Sequence, residues 1–555
     1  MKLNKKWGIG ILVLTSALLV AYVNRLHFLQ YSLGWHTDIV NPRGPNIPIP
    51  WMEGPAAADK PLTQRAPNIV IIMADDMGIN DVTMHSGGLG SQGVPTPHID
   101  SIARDGVRFD QGYAGAPVCN VSRAALLTGR YPWRFGMEFV ATPSNMGRVA
   151  GAIYAESPNN KVRPVFIDQE KAKHALDYND MGMPSSEVTL AEALRVKGYH
   201  TLHIGKWHLG TKDMRPNNQG FDESLNMEHG LHLHEDSPEV VNSKQEFDPI
   251  DKFLWSNMRF AASYNDGKWF EPAKYLADYY TDEAINAIRK NKNRPFFLYL
   301  AHWGVHSPLQ AAKADYDALS NIKDHRLRVY AAMVRSIDRS VGRVLQTLKE
   351  EGLDQNTLVV FTSDNGAPGY IGLPHVNQPY RGWKLTMFEG GLRVPYTAKW
   401  PGHIAAGTRY QAPISNIDIM PTVIAAAGAR IPNDRPIDGV NLLPFLTAQP
   451  QTQPARPMYW RNGPYRAMQE DKWKLIVADL PRKDWLFNLA IDPTEKVNLA
   501  QKEPERLAAM KAKMQAHHAI MPATMWESFI ALPIAIDKTA DQRLTPDDEY
   551  AYWNN

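Results

Sequence analysis

Two pairs of polar residues follow two apolar runs of the chain. Asp75 and Asp76 come directly after the run IVIIMA, and Asp364 and Asn365 come directly after TLVVFTS. Continuous apolar runs are typical of strands buried on both faces, and ligands of open α/β sheets bind beyond the carboxyl ends of such strands. If the two strands are neighbours, four oxygen ligands converge, and such ligands favour Ca²⁺ or Mg²⁺ over Zn²⁺. Each pair is equally typical of a turn or a helix cap, so both interpretations stay open.

Cys119 is the only cysteine in 555 residues, so no intrachain disulfide can form. The following segment SRAALLTG predicts a helix that ends at Gly129, which places Cys119 at or just before the helix N-terminus. Free N–H groups and the helix dipole stabilise negative charge there, so we expect a lowered thiol pKa and a site for an oxyanion. Arg123, one turn further on, can present its planar fork to the oxygens of that anion. The alternative is a cysteine that serves only as a buried apolar residue.

Further basic residues and histidines lie just past predicted strands or in loops. They are Lys206 and His208 in HIGKWHLG, His302 and His306 in AHWGVHSP, and Lys384, with Glu389 and Arg393, in YRGWKLTMFEGGLRVP. Lys206 and His208 stand two apart, and alternate side chains of a strand point the same way. Single histidines and lysines are usually structural or solvated, so the set as a whole, rather than any member, indicates a site.

The elements that must position these residues alternate between strands and helices. Short apolar strands at 199–204, 295–301 and 357–366 follow helical patterns, including a long one at 326–351. This alternation predicts an α/β domain with a large, mostly parallel or mixed central β-sheet between helices. After about residue 449, a hairpin at Glu470–Asp471, the strand DWLFNL and the helix EPERLAAMKAKMQAHH predict a smaller C-terminal subdomain with an antiparallel sheet and a helix. The segment 520–555 shows no interpretable pattern.

The N-terminus has the features of an export sequence. Three lysines precede the apolar run Trp7–Val23, and no clear cleavage site follows it. We therefore expect a signal peptide or a signal-anchor at 1–30, with the body periplasmic, membrane-anchored or secreted. The proline-rich residues 31–66 predict an extended segment, 67–449 the catalytic domain, and 450–555 the C-terminal subdomain and tail.

The charge balance excludes one class of partner. The formal net charge is only +2, so no basic field indicates binding to nucleic acid. A small molecule or a carbohydrate is the expected partner. The 15 tryptophans could stack on sugar rings, although tryptophan also serves in cores.

Eight segments together resemble one family, the formylglycine-dependent sulfatases of the alkaline-phosphatase superfamily, over roughly 67–500. In family order they are NIVIIMADDMG, TPHIDSIARDGVRF, CNVSRAALLTGRYP, GYHTLHIGKWHLG, NRPFFLYLAHWGVHSP, LVVFTSDNG, FEGGLRVP and LFNLAIDPTEKVNL. The resemblance implies hydrolysis of a sulfate monoester, for which a sulfated carbohydrate is the expected substrate. It also implies a formylglycine-generating enzyme as a partner during maturation.

The resemblance further implies a role for each candidate residue. Cys119 is the precursor of formylglycine, whose hydrated aldehyde attacks sulfur, and Arg123 steadies that hydrate with Lys206 close by. His208 acts as the base that allows sulfate to leave, whereas His306 and Lys384 bind the sulfate oxygens and help to protonate the leaving alcohol. A divalent cation, usually Ca²⁺ with Mg²⁺ as the alternative, is held by Asp75, Asp76, Asp364 and Asn365.

One position departs from the family pattern. The modification signature is Cys, any residue, Pro or Ala, any residue, Arg, and here the middle position is Val121. Two other functions therefore stay open: hydrolysis of phosphate or phosphonate esters, and non-catalytic binding of sulfated glycans by a chain with unmodified Cys119. Specificity is expected in the loop 138–183 and in EHGLHLHEDSPEVV. The three histidines of this second loop form either a substrate-facing or solvated surface or a second metal site: His229, His232 and His234.

Overall fold

The computed structural model describes residues 15–16, 20, 22, 24–86, 89, 94–155, 157–447 and 449–555. The apolar run Trp7–Val23 lies almost wholly outside these residues, so its role as a signal peptide or an anchor stays a prediction. Within the described ranges we find no helix with the length and apolar character needed to cross a bilayer.

A mixed β-sheet forms the centre of the molecule. Over the described part of the chain it has nine strands, in the spatial order β13 (Thr408–Tyr410), β2 (Val107–Phe109), β12 (Tyr396–Lys399), β11 (Thr357–Ser363), β1 (Asn68–Ala74), β9 (Phe296–Ala301), β5 (His200–Gly205), β6 (Glu223–Gly230) and β8 (Phe260–Tyr264). The strands from β11 to β6 are parallel, whereas β12 and β8 run antiparallel to their neighbours. The predicted α/β architecture is therefore confirmed.

Helices cover both faces of this sheet. Their bounds are α1 (Arg25–Val40), α2 (Thr83–Ser86), α3 (Pro97–Arg104), α4 (Cys119–Thr128), α5 (Ser144–Ala155), α6 (Gln169–Lys173), α7 (Leu190–Val196), α8 (Pro249–Asn257), α9 (Leu276–Asn291), α10 (Lys313–Asp317), α11 (His325–Glu350), α12 (Glu389–Leu392), α13 (Ile419–Ala427) and α14 (Pro504–Ala519).

The apolar run of β1 explains why helices pack on both faces of the sheet. All seven residues of β1 are buried, and alternate side chains enter different cores. Val70 and Ile72 pack in the core that α9 and α11 cover, whereas Ile69 and Ile71 pack in the core formed with α4, α7 and α13. A strand with two buried faces needs an uninterrupted apolar run, which is the pattern that predicted it.

The C-terminal region contains the predicted antiparallel sheet and helix. Its strands β15 (Met458–Asn462), β16 (Tyr465–Glu470), β17 (Trp473–Asp479) and β18 (Arg482–Asn488) pair in chain order, and α14 packs against β16 and β17. The hairpin turn consists of Asp471 and Lys472, one residue later than expected, because Glu470 still pairs with Trp473. Asp471 has the positive φ of 51° that tight hairpins require.

The tail, for which the sequence showed no pattern, forms two further strands. β19 (Ile530–Ala535) pairs with β20 (Tyr550–Asn554) and with β4 (Phe166–Ile167). This arrangement brings Trp553 into the core beside α4 and into the lining of the cavity described below. Two short pairs complete the strands of the described residues: β3 (Gly112–Tyr113) with β14 (Ile414–Ser415), and β7 (Val240–Ser243) with β10 (Leu309–Ala312).

The expectation of an extended segment at 31–66 is wrong for residues 31–40, which contain no proline and form the second part of α1. From residue 41 to residue 61 the proline-rich segment is extended and wraps the main domain. Its Gly44 exchanges backbone hydrogen bonds with the segment around Trp269, and Gly54 donates to the carbonyl of Lys290. Trp51 is buried, and its indole N–H donates to Glu283 at 2.7 Å. The segment therefore follows the surface and contributes one anchor to the core.

Candidate active site

The two polar pairs meet at one edge of the central sheet. β1 and β11 are parallel neighbours with Ala74 opposite Ser363, so Asp75, Asp76, Asp364 and Asn365 follow at the same edge. The backbone N–H of Asp76 donates to Oδ1 of Asp364 at 3.2 Å, and the Asn365 amide donates to Oδ1 of Asp76 at 2.7 Å. All four residues are fully buried. The convergence expected from the sequence is present.

Three cationic side chains face these carboxylates. Arg123 Nε lies 2.9 Å and Nη2 lies 2.8 Å from Oδ2 of Asp364, and Nη2 also lies 3.3 Å from Asp75. Lys206 Nζ lies 2.6 Å from Oδ2 of Asp75. Among the described residues, this cluster of three carboxylates and three cations has a formal charge of zero. Burial of six charges is tolerable only because each has an opposite partner within hydrogen-bond distance.

Lys384 joins the cluster to the cysteine. Its Nζ lies 2.7 Å from Oδ1 of Asp76 and donates to Sγ of Cys119 at 3.0 Å. Burial disfavours the charge on Lys384, but Asp76 and the other anionic groups hold the pKa of this ammonium well above its usual value. A charged lysine therefore stands beside position 119.

Cys119 begins α4, as predicted, but its thiol does not behave as predicted. Burial is the largest effect and raises the pKa of Cys119 to about 12, although Lys206 and Lys384 act in the opposite direction. The expected lowering by the helix N-terminus is therefore wrong for this thiol, because the loss of hydration outweighs the nearby positive charge. An unmodified Cys119 is neutral at physiological pH and is a poor nucleophile.

The two histidines with proposed roles reach the site differently. His306 stacks on Trp303 with ring centroids 4.0 Å apart, its Nδ1 lies 2.6 Å from the carbonyl of Ser307, and its Nε2 lies 3.5 Å from Asp76. His208 Nε2 contacts the carbonyl of Ala141 at 3.2 Å, whereas its buried Nδ1 has no partner among the described residues. Burial lowers the pKa of His306 to about 3 and lowers the pKa of His208 well below its usual value, so both rings are neutral at pH 7.

The strand argument for Lys206 and His208 does not hold in detail. β5 ends at Gly205, so neither residue belongs to the strand, and His208 has a left-handed backbone with φ of 57°. Both side chains nevertheless line the same cavity. By contrast, His302 is buried and contacts Oγ of Ser340 at 2.8 Å, which makes it a residue of the core.

Three residues of the site have a left-handed backbone. Asp76, His208 and Leu385 have φ values of 62°, 57° and 75°, in the region that non-glycine residues seldom occupy. Each such residue costs about 1 kcal/mol or more and persists where the surrounding structure overdetermines it, often at functional sites.

The donor set suits a divalent cation. Oδ1 of Asp75 and Oδ1 of Asn365 are buried without a hydrogen-bond partner in the described structure. In addition, Asp75, Asp76, Cys119 and His306 offer ligand atoms that lie within 4.8 Å of one another. Unpartnered buried oxygens are costly, and a hard cation bound to carboxylate and amide oxygens would satisfy them. The residues present therefore fit Ca²⁺ or Mg²⁺.

A cavity of about 680 Å³ opens onto this cluster. Cys119, Lys206, His208, His306 and Lys384 line its floor together. Its walls come from distant parts of the chain, including the end of α1, the loop before α5, β6, α8 and β20. The sequence therefore identified the floor, whereas the walls depend on packing between elements that are far apart in the chain.

Two site residues were missed by sequence reasoning. Tyr370 donates its hydroxyl to Oδ2 of Asp76 at 3.2 Å, and no pattern in APGYIG indicates this. Trp303 lies 4.6 Å from Nζ of Lys206 and supports the ring of His306. Its position inside HWGVH, between the two histidines, was the signal that could have identified it.

The three histidines of the second loop do not share a ligand point. His229 lines the cavity and packs against Trp269 at 5.2 Å, whereas His232 stacks on Tyr275 at 5.5 Å. His234 pairs instead with Glu271 at 3.1 Å. A second metal site is therefore not formed by these residues, and only His229 faces the cavity.

Comparison with known proteins gives consistent matches over most of the chain. The family model described as Sulfatase matches residues 67–429, and the model described as N-sulphoglucosamine sulphohydrolase, C-terminal, matches residues 381–520. The chain is 35% identical over 421 residues to the N-acetylgalactosamine-6-sulfatase of Mus musculus, which covers 74% of this chain and 71% of that protein. It is 32% identical over 459 residues to the steryl-sulfatase of Rattus norvegicus, with 69% and 71% covered.

A solved structure shares the fold. The crystal structure of Ps i-CgsB in complex with k-i-k-neocarrahexaose superposes with a TM-score of 0.68 at 31% sequence identity, over 83% of this chain and 95% of that one.

Proposed function

The chain belongs to the sulfatase family and is a sulfate ester hydrolase, and from this premise we propose that it cleaves sulfate monoesters of carbohydrates with formylglycine derived from Cys119. The observation that carries the proposal is the neutral buried cluster below the cavity, with Cys119 at its centre. Asp75, Asp76 and Asp364 balance Arg123, Lys206 and Lys384. A divalent cation held by the carboxylates would leave two positive charges in excess, and the single negative charge of a sulfate monoester would compensate one of them.

The cation and the formylglycine supply two kinds of chemistry. A divalent cation stabilises negative charge on the sulfate, and the hydrated aldehyde of formylglycine supplies a hydroxyl nucleophile. Asp75, Asp76, Asp364 and Asn365 would hold the cation, which we propose to be Ca²⁺, with Mg²⁺ as the alternative. The two unpartnered oxygens of Asp75 and Asn365 support this assignment.

The basic side chains bind and orient the ester. Arg123 is fixed by Asp364 and by the carbonyl of Lys206, 3.0 Å from its Nη1, so its guanidinium is preorganised beside position 119. The ammonium groups of Lys206 and Lys384 face the sulfate oxygens, where negative charge accumulates as the S–O bond breaks. Preorganised positive charge in a site without bulk water is worth more than the same charge in solvent.

The two histidines handle protons at opposite sides of the site. With its Nε2 proton directed at the carbonyl of Ala141, neutral His208 presents Nδ1 as a base. With its Nδ1 proton directed at Ser307, neutral His306 presents an unprotonated Nε2. The proton for the leaving alcohol therefore comes from the ammonium of Lys384, either directly or through Nε2 of His306, which first accepts it and then donates it. A general base requires the neutral form, which burial favours for both rings.

The walls of the cavity support a sugar as the alcohol part of the ester. One wall combines Trp269 with the polar side chains of Arg215, Asn226 and Glu228. Glu228 is held by Arg215 at 2.7 Å and by the amide of Asn226 at 3.1 Å, which fixes the orientation of these groups. Aromatic faces with oriented amides and charged groups are suited to stacking on sugar rings and to hydrogen bonds with hydroxyls.

A second candidate substrate class rests on another part of the cavity lining. Ile250, Phe253 and Leu254 of α8, with Met258, present apolar side chains to the same cavity. This wall would suit a hydrophobic ring alcohol, and one relative is a steryl-sulfatase.

The two substrate classes are separable by kinetics. We expect kcat/KM for sulfated hexosamine and galactose oligosaccharides to exceed that for a steroid sulfate, and Trp269→Ala to reduce only the former. Leu254→Ala is the control in the apolar part of the lining, and because Leu254 also packs in a core cluster, its urea midpoint is measured alongside. A higher kcat/KM for the steroid sulfate, reduced by Leu254→Ala, would establish the second candidate instead. A preference for phosphate monoesters over both would refute the sulfate assignment of the site.

The modification is tested by mass spectrometry. The tryptic peptide Phe109–Arg123 contains position 119, and we expect an aldehyde-bearing residue there in protein from its natural source or from a host with a formylglycine-generating enzyme. Cys119→Ala serves as the control, with turnover abolished and the fold retained. An intact thiol in active enzyme would refute the proposed nucleophile, and an intact thiol in inactive protein would favour a glycan-binding role.

We also propose that the chain is exported and that its N-terminal segment is a signal peptide or an anchor. The apolar run after three lysines supports this proposal. Fractionation of the producing cell tests it: activity in the soluble cytoplasmic fraction alone would refute it.

A further inference from the structure

A second buried ionic cluster lies behind the loop that carries Lys384. Nζ of Lys474, on β17, lies 2.7 Å from Oε1 of Glu389 and 2.9 Å from Oε1 of Glu495. Glu389 also accepts from Nη1 of Arg393 at 3.1 Å and from the hydroxyl of Tyr113 at 2.9 Å. The side chains of Lys474, Glu389 and Glu495 are all fully buried. None of these residues has a role in the proposed reaction.

This cluster attaches the C-terminal region to the active-site loop. Glu389 begins α12, and its backbone N–H donates to Oε2 of Glu495 at 2.6 Å. The preceding residue, Phe388, packs edge-on against Trp485 of β18 with ring centroids 5.6 Å apart. The backbone at 388–389 is therefore held from the C-terminal side by a charge, a hydrogen bond and an aromatic contact.

Only three residues, 385–387, separate this clamp from Lys384. The turn between them is closed by the backbone N–H of Thr386, which donates to the carbonyl of Trp383, and Leu385 adopts its strained φ of 75°. The N–H of Leu385 donates to the carbonyl of Pro117 at 2.9 Å, two residues before Cys119. A short strained turn transmits displacement, so movement of Glu389 shifts Lys384 relative to Cys119.

Burial of a lysine between two carboxylates gives little net stability, because the desolvation cost offsets most of the attraction. In some proteins such a buried pair instead serves to fix one geometry. We propose that Lys474, together with Glu495, is a positioning residue that sets Lys384 Nζ for contact with the sulfate group. The C-terminal region thereby acts on catalysis without touching the substrate. This inference rests on the proposed role of Lys384 in binding the anion.

The test measures inhibition by inorganic sulfate as well as turnover. Lys474→Met removes the ammonium and leaves Glu389 and Glu495 facing each other, which can prevent folding. The double variant Lys474→Met/Glu495→Gln restores charge balance, because Glu389 keeps Arg393. Lys511→Met is the matched control, since Lys511 pairs with Asp484 in the same region at 2.7 Å and has no link to the loop.

We expect the double variant to raise the inhibition constant for sulfate about tenfold and to lower kcat/KM about 10- to 100-fold, since displacement of a reacting group by about 1 Å costs up to 10²-fold. In the Lys384→Ala background, the same two substitutions should change the inhibition constant by less than about twofold, because effects that act through one residue are not additive. Lys511→Met should match the wild type.

Three results would overturn the inference. An inhibition constant unchanged in the double variant, with Lys384→Ala still weakening sulfate binding, refutes the positioning role alone. Full additivity of the two perturbations refutes it as well, since it indicates a general structural effect. If Lys384→Ala itself leaves sulfate inhibition unchanged, the role of Lys384 in the proposed function fails, and the positioning role fails with it.

Discussion

Replacement of Arg123 by methionine tests the electrostatic design of the site. The guanidinium is fully buried and contacts the carboxylates of both Asp75 and Asp364. It is the one charged side chain that α4 presents to these carboxylates. Methionine keeps an apolar stem of similar length but offers no donor. The variant therefore leaves three buried carboxylates, those of Asp75, Asp76 and Asp364, against the two ammonium groups of Lys206 and Lys384.

The expected cost follows from the broken contacts. Removal of one partner from a buried ion pair destabilises a protein by about 3–5 kcal/mol, because the other charge stays buried without compensation. Arg123 contacts two carboxylates at 2.8–3.3 Å. Without divalent cations, we therefore expect the substitution to lower the free energy of unfolding by about 3–5 kcal/mol. A bound divalent cation restores positive charge at the same carboxylates. The loss should then shrink to about 2 kcal/mol, the value for hydrogen bonds to a charged group.

Urea unfolding followed by tryptophan fluorescence provides the assay, in EDTA and in millimolar Ca²⁺. Arg335→Met is the control, because Arg335 pairs with Asp315 at 3.2 Å while its side chain is 47% exposed, and such pairs contribute about 1 kcal/mol or less. If Arg123→Met lowers the free energy of unfolding in EDTA by less than about 1 kcal/mol, the buried ion pairs do not contribute as proposed. A loss of the same size with and without Ca²⁺ would also refute the reasoning, because the cation would then not share the carboxylates.

Three further predictions follow from single residues. His208→Ala should lower kcat by about 10²–10⁴ with a smaller effect on KM, as expected for loss of a general base, and steady-state kinetics with unchanged kcat would exclude that role. Asp248→Asn should stabilise the protein increasingly as pH rises from about 4 to about 8. Burial and then Asp251 raise the pKa of Asp248 from 3.8 to about 8, so over this interval the unfolded chain has lost the proton that the folded chain keeps, and wild-type stability falls. Asparagine has one acceptor oxygen and therefore keeps only one of the two hydrogen bonds that the N–H groups of Ile250 and Asp251 donate to Asp248, a loss that does not vary with pH. Equal pH profiles of the urea midpoint in both proteins would contradict this prediction. Val121→Ala should lower the free energy of unfolding by about 1–2 kcal/mol, because two buried methyl groups are lost while helix propensity improves. The formylglycine content of the peptide Phe109–Arg123 should nevertheless not fall, because alanine at position 121 restores the signature Cys, any residue, Pro or Ala, any residue, Arg. A lower content in the variant would show that valine favours the modification.

Local patterns predicted the parts of the site that lie at the ends of regular elements. The uninterrupted apolar runs before Asp75 and Asp364 predicted two buried strands, and the helix formers after Cys119 predicted the start of α4. The residue order of eight segments identified the family. Each of these features belongs to a short stretch of sequence. A buried strand requires an apolar run, and a helix start requires helix formers after it, so both patterns can be read within a few residues. The boundaries between 1–30, 31–66, 67–449 and 450–555 stay predictions.

Tertiary structure alone decided how these pieces combine. Lys384 and Cys119 are 265 positions apart, and their contact at 3.0 Å depends on a strained turn clamped by Lys474 and Glu495. The direction of the Cys119 pKa shift also required the fold, because the helix N-terminus acts locally whereas desolvation sums over every element that excludes water from the thiol. For the same reason Trp553, from a tail without a sequence pattern, became part of the cavity. The sequence by itself determined which groups could do chemistry, and the packing of distant elements determined their distances and their charge states.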